Sequence, residues 1–159
     1  PFPNGCTGKP IKAVFDKFDT DHKGFLTKQQ FILLLGKLSR RIPEMKDISV
    51  DLGYALFDLL DSKCNGHIYP SQFEAWWGSP NKYEYFRGNN ARLLRKAHKL
   101  FTAYSNSKGQ LTLAQFHILL EYLNLHGNDD DFDRLDTNED GLLCFREFVL
   151  WLNWFPINV

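Results

Sequence analysis

The chain has 159 residues and a mass of 18.5 kDa, enough to bury a core without disulfide staples, as one large domain or two small lobes. Apolar residues make up 43% and charged residues 24%, which excludes general disorder, and 19 Lys+Arg against 19 Asp+Glu leave no basic excess to mark nucleic acid as a main partner. No apolar run approaches the roughly 20 residues of a membrane-spanning helix. The opening Pro1-Phe2-Pro3-Asn4-Gly5 has neither basic flank nor apolar stretch, so no secretory signal is expected. Cys6, Cys64 and Cys144 are widely spaced and form no C-x-x-C pair; reduced thiols in a cytoplasmic protein are the expectation. Fourteen Phe against one Met imply a stiff interior.

In chain order, Ile11, Val14, Phe15 and Phe18 fall at helical spacing and predict a first helix. A polar loop follows from Asp19, and Phe31, Leu34, Leu35 and Leu38 predict a second helix. Pro43 should stop one helix before another begins near Asp47. Trp76 and Trp77 end the next apolar run. Residues 78–90, rich in Gly, Pro and Asn, read as a boundary. A helix around Ala91–Ala103 sets Leu93, Ala97, Leu100 and Phe101 against Arg92, Arg95, Lys96 and Lys99. Phe116, Leu119, Leu120 and Leu123 predict the next. A short helix Asp129 to Leu135 follows, capped by Asn128, with Asp129, Asp130 and Asp131 at the positive end of its dipole. Trp151 and Trp154 close the last.

These elements repeat. Gly24, Gly66, Gly109 and Gly141 each have an aliphatic residue two places on (Leu26, Ile68, Leu111, Leu143) and Phe seven places on (Phe31, Phe73, Phe116, Phe148). A large apolar residue stands nine places ahead of each: Phe15, Phe57, Leu100 and Phe132. The unit is helix, short polar loop, helix, and the glycine supplies the positive φ that such a reversal needs.

The pattern resembles the EF-hand over roughly Ile11 to Phe155. The resemblance implies an all-α fold of four helix–loop–helix units paired into two lobes. Residues 1–80 would carry loops 19–30 and 61–72, and residues 81–159 loops 104–115 and 136–147. Short bridges would join Leu26 to Ile68 and Leu111 to Leu143. A twelve-residue loop of this kind holds Ca²⁺ through side chains at positions 1, 3 and 5, the carbonyl of position 7, and a bidentate Glu at 12. The fourth loop fills every place: Asp136, Asn138, Asp140, the Leu142 carbonyl and Glu147. Cys144 at position 9 is a poor calcium ligand.

The other three loops end in an amide (Gln30, Gln72, Gln115) and carry a lysine at a ligand position (Lys23, Lys63, Lys108). The third also has Tyr104 where the first Asp should stand. Net loop charges are 0, 0, +1 and −3 in chain order, so attraction for a divalent cation is expected only at the fourth, one Ca²⁺ per chain, with weak binding at the first loop, which keeps Asp19 and Asp21, as the alternative. In one reading, Lys23 and Lys63 partly replace the cation and hold Asp19 and Asp61; in the other, they point into solvent.

The five histidines lack the spacing of a zinc pair, and no nucleophile–base motif or phosphate loop is present, so an enzyme is not expected. The tryptophans read first as core and second as the lining of a partner groove. The basic face of residues 92–99 is a solvated surface, or a contact for an acidic partner or for the chain's own acidic residues 121–147, with a peripheral membrane contact the weaker alternative. The functional expectation is a calcium-regulated sensor or interaction protein with a dedicated protein partner, an amphipathic helix or peptide. The alternatives are a constitutive, light-chain-like subunit with structural calcium, and a calcium buffer. Neither nucleic acid nor a membrane-spanning segment figures in any of them.

Overall fold

The computed structural model describes residues 9–46, 48–80, 82–136 and 139–153. Among the described residues, eight α-helices are arranged as four helix–loop–helix units: α1 (Lys9–Phe18) with α2 (Lys28–Ser39), α3 (Val50–Leu60) with α4 (Pro70–Trp77), α5 (Gly88–Tyr104) with α6 (Leu113–Leu123), and α7 (Asp129–Leu135) with α8 (Phe145–Leu152). The fold is all-α. Antiparallel bridges join Leu26 to Ile68 and Leu111 to Leu143, in the register the repeat predicts.

Local chemistry starts the helices that leave the loops. Thr27 and Thr112 accept at Oγ1 from the backbone N–H of Gln30 and Gln115, while those glutamines accept at Oε1 from the cap N–H, a reciprocal box. Asn128 caps α7 through the N–H of Asp131, as expected. Asp47 lies outside the described residues. α3 begins at Val50, later than the proline alone suggested, because Pro43 opens a 3₁₀ turn to Met45 and Ser49 is the residue that caps α3.

One continuous apolar cluster fills the molecule. Phe15, Phe31, Phe57, Phe73 and Trp76 meet on one side; Phe101 meets Phe145 and Phe148 on the other, and Phe116 packs against Phe132 and Trp151. α3 packs on α2 and α4 of its own half and also on α5 and α8. Gly53 permits the close approach of α3 to α2, since a Cβ there would lie 2.7 Å from Ile32 Cδ1. Residues 78–90 connect α4 to α5 but are not a free tether. Tyr85 is buried, and Trp76 Nε1 donates to the Lys82 carbonyl at 3.3 Å. Trp76 and Trp77 are likewise buried, so core packing accounts for them and the groove reading does not. Trp154 lies outside the described residues.

Candidate metal centre

The fourth loop is built from its two helix ends. Asp136 ends α7, and its backbone N–H donates to the Phe132 carbonyl at 2.9 Å. Its carboxylate turns back into the loop and accepts from the N–H groups of Gly141 at 2.8 Å and Asp140 at 3.2 Å. Gly141, at φ +76°, makes that reversal possible. Asp140 Oδ1 accepts from Leu142 N at 2.9 Å, and the Leu143 bridge anchors the next residue. Glu147, in the first turn of α8, accepts at Oε1 from Cys144 N at 3.0 Å. Asn138 lies outside the described residues.

Asp136 and Glu147 are nearly buried carboxylates. Removal from water pushes the Asp136 carboxyl above its ordinary value, and the neighbouring Asp140 carboxyl adds to the shift against the opposing backbone donors. Two clustered carboxylates and a third on the exit helix suit a hard divalent cation. Asp136, Asn138, Asp140, the Leu142 carbonyl and Glu147 are the groups that would hold it.

The same scaffold is closed differently in the other units. Asp19 accepts from Lys23 N and Gly24 N at 3.1 and 2.9 Å, and Asp61 from Asn65 N and Gly66 N at 3.2 and 2.7 Å. Where Tyr104 removes this carboxylate, Asn106 Oδ1 takes over, accepting from Lys108 N and Gln110 N at 2.9 and 3.0 Å. At position 12 the amide does what a carboxylate cannot. Gln30 Nε2 donates back to Asp21 Oδ1 at 3.3 Å and Thr20 Oγ1 at 3.4 Å, and Gln72 Nε2 donates to Ser62 Oγ at 2.7 Å. The Gln30 amide is the main cause that lowers the Asp21 carboxyl below its ordinary value. The exit helix is thus latched to the start of the loop by a hydrogen bond rather than an ion.

The reading in which lysines hold Asp19 and Asp61 is corrected by this geometry. Lys23 Nζ lies 3.3 Å from Asp21, both exposed, and Lys63 Nζ sits over the Tyr69 ring at 4.4 Å. Backbone N–H groups hold the two buried aspartates.

A second correction concerns the cysteines. Cys64 and Cys144, expected as free thiols, form a disulfide across a sequence separation of 80 residues. Cys64 stands at position 4 of the loop 61–72 and Cys144 at position 9 of the loop 136–147. Position 4 is left-handed in three loops, at His22, Cys64 and Glu139, a repeat feature without a residue-type signature. Nearby, Arg146 Nη1 donates to the Leu59 carbonyl at 2.7 Å, and Asp58 accepts His98 Nε2 at 2.6 Å while pairing with Lys28 at 3.1 Å. These contacts set the loop 61–72 against the loop 136–147.

An EF-hand domain model matches residues 10–39, and an EF hand model matches residues 130–150. The first covers α1, its loop and α2; the second covers α7, its loop and most of α8. The two matched segments, together with four such units in series bridged in pairs between loops, support an EF-hand calcium-binding superfamily assignment. No curated protein matches the chain.

Proposed function

We propose that the chain binds a single Ca²⁺, in the loop 136–147, and acts as a calcium-regulated interaction protein for a dedicated protein partner. The observation that carries the reading is the chemistry at position 12. Gln30 and Gln72 point their amide donors at groups near the start of their own loops, whereas Glu147 puts a charged carboxylate at the place where Ca²⁺ takes a bidentate ligand. When bound, Ca²⁺ supplies charge and a flexible oxygen coordination that draws Glu147, and with it α8, toward Asp136. No catalytic role is included in this reading.

Exposed Leu33, Ile118, Tyr122 and Leu150 lie on the exit helices α2, α6 and α8 and offer apolar surface to a helical partner. A single Met and a Phe-rich interior favour one dedicated partner over a plastic, promiscuous groove. Three loops that need no ion also suit a constitutive subunit, the second reading. A buffer gains little from one site per chain. The cytoplasmic setting expected from free thiols loses that support, because a disulfide persists in an oxidising compartment or is cycled by a redox couple.

Calorimetric titration of Glu147→Gln tests the site. The variant should bind Ca²⁺ at least about tenfold more weakly than the parent, which is about 1.4 kcal/mol. Equal affinity would refute the assignment. Partner capture with Ca²⁺ and with chelator separates the two readings: retention with Ca²⁺ alone marks the sensor, and retention in chelator marks the constitutive subunit.

A further inference from the structure

We propose that the Cys64–Cys144 disulfide is a reversible redox modification site that sets the calcium affinity of the loop 136–147, its reactant being a thiol–disulfide couple. The proposal rests on the calcium reading above. The bond ends inside that loop: Cys144 is the N-cap of α8, and its N–H donates to Glu147 Oε1 at 3.0 Å. Cys64 Sγ lies 3.9 Å from the same carboxylate oxygen. The disulfide therefore touches the carboxylate that stands where the other three loops end in an amide.

Its other end is firm. Cys64 belongs to a loop closed without metal by Asp61, which accepts from Asn65 N and Gly66 N, and by the Gln72–Ser62 latch. Both sulfurs line a cleft of about 470 Å³ between the halves, with Asp58, Lys108 and Phe145 among its walls. Cys64 is the more exposed of the two and is the sulfur a reductant reaches first.

The exchange balances as follows. A dithiol's thiolate attacks Cys64 Sγ, forming a mixed disulfide and expelling the Cys144 thiolate, which takes up a proton. The reductant's second thiolate then displaces Cys64 and leaves as a cyclic disulfide. One S–S bond is lost and one gained, and two electrons and two protons pass to the protein.

While the bond is closed, the backbone at position 9 and the carboxylate at position 12 are held against a preformed loop, so less order remains to be imposed by the ion. The oxidised protein is the tighter binder, and opening the bond weakens it. By reciprocity, Ca²⁺ makes the disulfide harder to reduce by the same factor.

The test uses the full chain carrying Cys6→Ser, so that only the pair reacts. Ca²⁺ is titrated calorimetrically before and after reduction with dithiothreitol, and in a Cys64→Ser variant of the same background. Reduction should weaken binding by about fivefold or more. Cys64→Ser should match the reduced protein and ignore dithiothreitol, and saturating Ca²⁺ should shift the dithiothreitol equilibrium by the same factor. Affinities within twofold in both states, tighter binding after reduction, or two free thiols in the air-oxidised protein would each overturn the gate and leave the calcium reading standing. Absence of binding in both states would overturn the two together.

Discussion

At the scale of single residues, the four units share nearly all of their loop geometry and part company at two places. Asp19, Asp61 and Asp136 make the same pair of backbone hydrogen bonds, so an aspartate at position 1 is a folding element before it is a ligand. Position 12 carries a neutral amide in three loops and a carboxylate, Glu147, in the fourth. The glutamines were legible in the sequence as lost ligands, but their second role was not, because it depends on where Nε2 points. Gln72→Ala should remove the bond to Ser62 and cost about 1 kcal/mol in denaturant unfolding, with calcium affinity unchanged in the reduced chain, where the loop 61–72 is no longer tied to Cys144. A lost calcium response in the reduced chain would show that the latch is not merely local. Asp61 permits a test by pH. Burial pushes its carboxyl above the ordinary 3.8, so the folded state retains the proton at a pH where the unfolded state has released it. Between 3.8 and that raised value the group makes stability fall as pH rises, and below 3.8 the penalty on its charge vanishes. The parent should therefore show a steeper fall across that window than Asp61→Asn, read by urea unfolding at each pH; parallel profiles would contradict the assignment.

Elements were the most legible level. A 3.6-residue apolar period, a cap and a loop glycine are local signals, and they located the short α7, while the register of both bridges came from the resemblance to the EF-hand. The entry to α3 was less legible because Pro43 and Ser49 compete as boundaries, and only the hydrogen bond from Leu52 N to Ser49 Oγ settles which one caps the helix. Residues 78–90 read as a boundary from composition, and within them a 3₁₀ turn buries Tyr85 against the core, which turn residues alone do not announce. Thr112→Ala should cost about 1 kcal/mol by removing the cap of α6. The same substitution should leave α7 and α8 intact in amide exchange, since neither is started by that box. Trp151 packs against Phe116 on α6 with centroids 5.5 Å apart, and its fluorescence should report movement of α8.

For the whole molecule, the contacts that tie one half to the other were hidden from the sequence. Cys64 and Cys144, Arg146 and Leu59, and Asp58 and His98 are 40 to 87 residues apart, and no period or spacing relates them. α3 is the element through which the halves meet, so Phe57→Ala should cost about 3–5 kcal/mol and destabilise all four units in one transition. The charge difference among the loops was, by contrast, readable at once, and it leads to the central claim that this repeat array keeps a single calcium site. The most direct test is the stoichiometry and shape of a calorimetric Ca²⁺ titration of the intact oxidised chain. One ion per chain with a Hill coefficient near one is predicted, because the loop 104–115, with Tyr104, Lys108 and Gln115 at its ligand places, offers no second binding event to couple. Two or more sites of similar affinity, or a sigmoidal isotherm, would contradict it.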